Sequence, residues 1–533
     1  MDKGLMCLVL HAHLPYIRHS EDEEYLEERW FYEAMTESYI PILKVLLGLL
    51  DENIDFRLTF SLSPPLISMM EDELVIKKFR SHLEGLIRLA EAEVERTIDM
   101  PEFNYTAGLY LKKYRECYNL VFESNGGNIL GLFKRLMDSK KVELITSCAT
   151  HGFLPLIGLQ DEIIRAQVAA AVALFHRVFG QKPRGIWLPE CGYKPGIDQI
   201  LRQFELRYFF MDTHGVLYAS RRPKYGIYAP VYCPSGVAAF SRDTETSRQV
   251  WSSKEGYPGD PDYREFYRDI GYDLDYDYIK EYLPGGIRVD TGIKYFRITG
   301  STDFKEPYQP EWAQEKAALH AGNFMFNRKN QINYLAELMD RKPLIVAPYD
   351  AELFGHWWFE GPDFLNYFLR KTAYDQHTFR LITPSEYLKQ YPVNQVAVPN
   401  ACSWGHKGYN EVWLEHSNEW IYRHLHKAGE RMIALANDHS DSHPAKTRFL
   451  NQAARELLLA QSSDWAFIMK SGTMVDYAVK RTKEHLHNFT RLFYAVTEDF
   501  YDLNLLEQLE TRNNIFPEID YRIFSSGYHG RVA

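Results

Sequence analysis

Leu344-Ile345-Val346-Ala347-Pro348-Tyr349-Asp350-Ala351-Glu352-Leu353-Phe354-Gly355-His356-Trp357-Trp358 opens as an apolar run and closes as a cluster of acid, imidazole and indole side chains. A short run of Leu, Ile, Val and Ala without alternation predicts a strand buried on both faces of a parallel sheet. The same design recurs along the chain. Leu5–Leu10 leads to His11 and His13, Phe56–Leu62 to Ser61, Ser63 and Pro64-Pro65, and Val142–Thr146 to Ser147 and His151. Gly185–Leu188 leads to Pro189-Glu190, Tyr208–Met211 to Asp212 and His214, and Phe379–Ile382 to Thr383-Pro384. Helical patterns such as Asp161–Phe179, stopped by Gly180, lie between several of these runs, as parallel crossovers require. Seven strands with polar chemistry at their C-terminal ends predict an α/β fold, a closed or nearly closed barrel with its site where those ends converge. An open doubly wound sheet is the competing arrangement.

The remaining chain divides by periodicity. In residues 67–140, Val75, Phe79, Leu83, Leu86, Ala90 and Val94 fall on one helical stripe, which predicts an inserted helical domain. Residues 222–293 are rich in Pro, Gly and Tyr with little periodicity, and read as a long functional loop insertion. From about residue 400 the strands stop, and Trp420–Ala436, Thr447–Gln461 and Met474–Thr497 carry helical stripes. The barrel is therefore expected in 1–66 and 141–399, with an all-helical C-terminal domain in 400–533.

Composition narrows the partners. The chain has 533 residues, with 61 Lys and Arg against 72 Asp and Glu, a formal charge of −11 that argues against non-specific binding of nucleic acid. No segment reaches the roughly 18 apolar residues of a membrane span. Leu5–Leu10 is too short for a secretory signal, and six scattered cysteines without a Cys-x-x-Cys pair suggest a reduced, cytoplasmic setting. Aromatic residues make up 14% of the chain, a surplus that suits carbohydrate, because the apolar faces of sugar rings stack on Trp and Tyr.

Two carboxylates stand straight after predicted buried strands: Glu190 in Trp187-Leu188-Pro189-Glu190-Cys191-Gly192-Tyr193, and Asp350. Either alone could be a helix cap or half of a buried ion pair. Together, at equivalent strand ends, they suit glycoside chemistry, in which one carboxylate attacks the anomeric carbon and the other shuttles the proton. Trp187, Tyr193, Tyr349, Trp357 and Trp358 cluster near them in sequence and form a candidate sugar cleft. His11-Ala12-His13 admits two readings. Residues two apart share one side of a strand, so both imidazoles could join Asp350 or His356 in a zinc or manganese site of a metal-dependent hydrolase. Alternatively, both bond substrate hydroxyls.

His11-Ala-His-Leu-Pro-Tyr16, Thr150-His-Gly-Phe-Leu-Pro155, Trp187-Leu-Pro-Glu-Cys-Gly-Tyr193 and Tyr349-Asp-Ala-Glu-Leu-Phe-Gly-His-Trp-Trp358 occur in that order. Together they resemble the signature segments of glycoside hydrolase family 57. Ser235–Phe240, Ser247–Trp251, Gly256–Asp260, Ser403-Trp404-Gly405, Trp413-Leu414 and Ser462–Trp465 extend the resemblance, in particular to the family's 1,4-α-glucan branching enzymes. The resemblance covers essentially the whole chain. It implies a (β/α)7 barrel with an inserted helical domain and a helical C-terminal domain that contributes to the active site.

By the same resemblance, Glu190 is the expected nucleophile and Asp350 the expected acid/base. His11, His13 and His151 would line the subsite of the transferred sugar, with Trp404 closing it and Asp464 and Trp357 also meeting substrate. Trp30 and Trp413 would shape the acceptor side, and the loop after Tyr228, with Tyr232, would cover the cleft. The implied partner is an α-glucan (amylose, amylopectin or glycogen), the implied setting glycogen biosynthesis, and the implied assembly a monomer or homodimer. No metal or other cofactor is expected. An α-amylase or a 4-α-glucanotransferase would use the same two carboxylates, and a non-catalytic glucan-binding protein would use neither.

Overall fold

The computed structural model describes residues 2–21, 25–252, 255–440 and 442–530. Nine strands form one sheet: β1 (Gly4–Ala12), β2 (Leu58–Leu62), β3 (Val142–Thr146), β4 (Gly185–Ile186), β5 (Tyr208–Met211), β6 (Val231–Tyr232), β7 (Ala238–Ser241), β8 (Leu344–Asp350) and β9 (Phe379–Leu381). Their order is β6-β7-β5-β4-β3-β2-β1-β8, with β9 beside β1. Every pairing is parallel except β6 with β7. The parallel ribbon from β7 to β8 curls until its ends meet. The Asp243 N–H, just past β7, donates to the Val346 carbonyl of β8 at 2.8 Å. The barrel is thus closed by contact rather than by a full ladder.

Two expectations need correction. Phe379–Leu381 is a strand, but it pairs only with Gly4–Met6 at the start of β1, while β2 takes Val9–Ala12 at its end. The remaining barrel position belongs to β7, inside the 222–293 stretch expected to be loop. The run Val237-Ala238-Ala239-Phe240 is short and half alanine, so its apolar signal is diluted between Gly236 and Ser241.

The strand period explains what enters the barrel. Leu5, Cys7 and Val9 of β1 pack inside with Ile145, Trp187 and Phe210, while Met6, Leu8 and Leu10 belong to the outer core under the helices. The next inward position on β1 is His11. The backbone therefore delivers an imidazole to the barrel mouth.

Residues 67–140 are helical as expected. Asp72 caps the helix Glu73–Arg96 by accepting the Leu74 and Val75 N–H groups, and Val75, Phe79, Leu83, Leu86 and Ala90 of the anticipated stripe are buried. After residue 400 come the helices Trp420–Asp438, Pro444–Ala460, Ser463–Ser471, Val475–Thr497 and Leu503–Arg512. Pro444–Ala460 is their centre, continuously buried from Gln452 to Ala460. This bundle is pinned to the barrel beyond β3. Ser463 N–H donates to the His151 carbonyl at 3.0 Å, and Gln167 Nε2 donates to Gln461 Oε1 at 3.0 Å. That contact carries the first turn of Ser463–Ser471 to the barrel mouth.

Candidate active site

β4 ends in a tight turn, Pro189–Cys191, in which Glu190 (φ 60°) and Cys191 (φ 51°) both take left-handed backbone conformations. Non-glycine residues rarely adopt such angles and cost of order 1–3 kcal/mol each. The surroundings hold them. Trp404 N–H donates to the Glu190 carbonyl at 3.0 Å and Cys191 N–H to the Leu188 carbonyl at 2.9 Å. The turn aims the carboxylate at two donors from the C-terminal third of the chain. Trp404 Nε1–H donates to Oε2 at 2.9 Å, and Ser463 Oγ–H donates to Oε1 at 3.0 Å.

Ser463 is one link in a longer chain. His151 Nδ1 lies 2.9 Å from Ser463 Oγ, His151 Nε2 lies 3.0 Å from His11 Nε2, and His11 Nδ1 lies 3.1 Å from Ser61 Oγ. Burial pushes the pKa values of His11 and His151 well below the ordinary histidine range, with like charges on neighbouring imidazoles adding to it, so both rings are neutral. A neutral ring has one donor and one acceptor nitrogen. Ser463 spends its proton on Glu190, so His151 must donate from Nδ1 and accept at Nε2. His11 then donates from Nε2 and accepts the Ser61 proton at Nδ1. Every donor in the chain points toward Glu190.

His13 is different. Its Nε2 sits 3.0 Å from Asp464 Oδ2 and its Nδ1 2.9 Å from Ser63 Oγ. Burial opposes its charge, but Asp464, with the negative charges of Glu190 and Glu352, outweighs burial and raises its pKa. Asp464 responds in kind: burial works against it, yet His13 and the Ser462 hydroxyl hold it down to about 2. This pair is an ion pair at the mouth. The ring nitrogens of His11 and His13 are all engaged in these bonds, and His356 Nδ1 lies 2.6 Å from Glu37. The side chains named for a metal therefore do not converge on one point. Among the described residues no group of three or more His, Cys, Asp or Glu is arranged to hold a metal ion.

Asp350 ends β8, in register with His11 of β1. No described side chain donates to it. Burial raises its pKa well above the usual carboxylate range, the negative charges of Glu352 and Glu190 push it further, and Arg242 pulls it partly back. Arg242 is itself paired with Asp212 at 2.6 Å. Glu352 is also raised by burial, but it accepts from Tyr39 Oη–H and, at 3.3 Å, from His13 N–H. Burial raises the pKa of Glu190 too, against the lowering by Trp404, His13 and Ser463. Two carboxylates close enough to feel each other thus sit in opposed settings. Glu190 has donors that favour its anion, and Asp350 has only burial and negative neighbours that favour its acid.

The aromatic expectations divide. Trp187 is buried flat beneath His11 (centroids 4.7 Å apart, planes at 15°), and Trp404 meets Trp187 edge-on at 5.0 Å. Trp251, not anticipated, extends this edge contact from Trp404 at 6.1 Å. Trp357 is exposed and stacked on Phe266 beside an open cleft. Trp30 is half-buried, edge-on to Tyr477, which in turn packs on Trp465 beside Asp464. Tyr193, Tyr349 and Trp358 are buried core residues.

Two site residues are not brought here. Trp413 is 1% exposed with its face on Phe153 at 4.4 Å, so it supports the loop rather than meeting acceptor. Tyr232 on β6 lines a cleft with Arg184 and Arg207, which precede β4 and β5. That is the N-terminal end of the barrel, opposite the carboxylates, because β6 runs antiparallel and pairs Tyr232 with Ala238 at the start of β7. The sequence sets Ser61 and Ser63 at a strand end without a role, and it assigns none to Ser463, Glu352, Tyr39, Arg242 or Trp251. The role of Ser61 comes from the inward period of β2 and its pairing with His11 across the ladder.

The chain resembles known proteins over nearly its full length. The profile described as glycosyl hydrolase family 57 matches residues 7–399, and that of the 1,4-alpha-glucan branching enzyme C-terminal region matches 424–524. A 1,4-alpha-glucan branching enzyme from Thermococcus kodakarensis is 34% identical over 96% of this chain and 77% of its own length. Among solved structures, the alpha-amylase AmyC of Thermotoga maritima superposes with a TM-score of 0.92 at 44% identity, covering 98% of this chain and 99% of its own. The GH57-type branching enzyme of Pyrococcus horikoshii gives 0.89 at 34%, covering 100% and 98%. With the family profile spanning most of the residues that build the barrel and its mouth, the chain belongs to glycosyl hydrolase family 57.

Proposed function

We propose that the protein is a 1,4-α-glucan branching enzyme working by retaining double displacement. Protonated Asp350 donates to the oxygen of an α-1,4 linkage while Glu190 attacks the anomeric carbon. The bond to the departing chain breaks and a glycosyl–enzyme ester forms. Esterification discharges Glu190, which removes one of the charges raising the pKa of Asp350. Asp350 then accepts the proton of an acceptor C6 hydroxyl, whose oxygen displaces Glu190 and leaves an α-1,6 branch. The observation that carries this reading is the opposed setting of the two carboxylates, with Trp404 and Ser463 donating to Glu190 and, among the described residues, no side-chain donor on Asp350.

The match of residues 424–524 to the C-terminal region of branching enzymes supports transfer over hydrolysis. The T. maritima relative favours a second reading, α-amylase, and the position of Tyr232 leaves the expected lid tyrosine away from the mouth. One assay separates them. Amylose is incubated with the enzyme, reducing ends are counted, and the product is digested with a debranching enzyme. Branching yields α-1,6 linkages with few new reducing ends, whereas many reducing ends without α-1,6 linkages overturn it. Glu190→Gln is expected to abolish both activities, and full activity in that variant refutes the mechanism.

The reading extends to glycogen-type polymer synthesis in the cytoplasm. Six free, buried cysteines agree with a reducing compartment. No described helix is long and apolar enough to cross a membrane. Both carboxylates, the three histidines and Asp464 come from one chain, so a monomer or a homodimer would serve the chemistry equally.

A further inference from the structure

We propose that the cleft of about 1040 Å³ beside Trp357 is a binding platform for the α-glucan polymer beyond the reacting sugars. This rests on the reading of α-glucan as substrate. Four of its rings are exposed: Phe304 by 89%, Tyr267 by 81%, Trp357 by 56% and Trp251 by 41%. Scattered exposed aromatics are ordinary, but several around one concavity mark a binding surface.

The rings are braced before any ligand arrives. Trp357 stacks on Phe266 with centroids 4.6 Å apart and planes at 17°, and Lys294 Nζ lies 4.5 Å from the centre of the Phe266 ring. Glu265 accepts the Phe266 and Tyr267 N–H groups at 3.0 and 3.2 Å and pairs with Lys305 at 2.8 Å. That ion pair ties the loop of Phe304 to the segment of Tyr267. A preformed surface loses little freedom on binding.

Most charges of the cleft are spent internally, Lys305 on Glu265 at 2.8 Å and Arg268 on Asp273 at 2.9 Å, while Asp303 adds one exposed carboxylate. What faces solvent is ring surface with hydroxyl and backbone groups and the one carboxylate of Asp303. That chemistry suits an uncharged polyhydroxylated chain and not an anion. The lining of the cleft is linked to each catalytic carboxylate by one contact or one loop. Trp251 meets Trp404, which donates to Glu190, and Leu353 and Trp357 follow Asp350 in the same loop.

The test is a pair of variants, Phe304→Ala and Tyr267→Ala, assayed on amylose and on a short maltooligosaccharide, with Leu319→Ala (63% exposed, on the helix Pro310–Leu338) as control. The expected result is an amylose KM raised about tenfold in each platform variant, with kcat and the short-substrate KM changed less than about twofold. Leu319→Ala should move neither. An unchanged amylose KM in Phe304→Ala, where a ring this exposed cannot disturb folding, overturns the platform. If the unaltered enzyme fails to act on amylose, the proposed function falls. The platform is then judged by retardation in glycogen-containing native gels, which Phe304→Ala should weaken about tenfold if it holds and leave unchanged if it does not.

Discussion

Replacing Trp404 by Phe keeps an aromatic ring but removes the one N–H that reaches Glu190 Oε2 at 2.9 Å. Hydrogen bonds to charged groups contribute roughly 1.5–3 kcal/mol, and the Glu190 side chain is only 16% exposed, so little of this is lost to solvent screening. The bond favours the anion, so its loss must raise the pKa of Glu190. At 1.36 kcal/mol per pH unit, the rise is about one to two units. The proposed reaction needs Glu190 ionised and Asp350 protonated. The acidic limb of kcat/KM against pH should therefore move upward by that amount, while the alkaline limb, governed by loss of the Asp350 proton, should stay near its original place. Below the limb the variant should be about 10- to 100-fold slower, and on the plateau much less so. The assay is the initial rate on amylose across pH. A limb that stays fixed or moves down would refute the assignment of Glu190 as the anion held by Trp404. Because two interacting carboxylates titrate as a pair, both limbs must be followed together.

Ser61→Ala removes the far end of the hydrogen-bond chain and frees the His11 tautomer; kcat is expected to fall about three- to tenfold with KM little changed, which steady-state kinetics checks. Asp464→Asn should cost stability within a window of pH. The depressed pKa of Asp464 contributes about 2 kcal/mol that is present above its unfolded value near 4 and lost as pH falls toward 2. The raised pKa of His13 contributes stability that is fully present below about 6.5 and lost as pH rises through its folded value. Denaturant titrations should show the largest gap between the two proteins from about pH 4 to 6.5 and a shrinking gap on either side. Gly355→Ala should lower Tm sharply and cost at least about 3 kcal/mol, because φ is 126° and an added Cβ would lie 1.9 Å from the Glu37 carbonyl oxygen; an unchanged Tm would count against the described loop.

Much of the fold was legible because burial is written locally. The run Leu344–Ala347 is apolar at every position, and the strand it predicts is buried from Leu344 to Tyr349. The stripe from Val75 to Ala90 has the helical period, and its helix buries that face. β7 escaped because Ala238 and Ala239 carry little apolar signal, although the sheet supplies the burial they lack. Trp413 and Tyr232 show the opposite failure. A large aromatic fits a core or a cleft equally well by type, and only packing against Phe153 or pairing with Ala238 decides between them.

The sequence by itself determined that His11 and Asp350 come at strand ends, since a strand's length and period dictate where its last inward residue points, and that His151 and Glu190 follow β3 and β4 closely. It could not determine the state of those groups. The donors to Glu190 come from Trp404 and Ser463, 214 and 273 residues away, the first brought by the pairing of Cys402 with Tyr193 and the second by docking of the helical bundle on the loop beyond β3. The proton balance of the site is a sum of burial and electric fields from neighbours distant along the chain, so it exists only once the tertiary structure has brought them together.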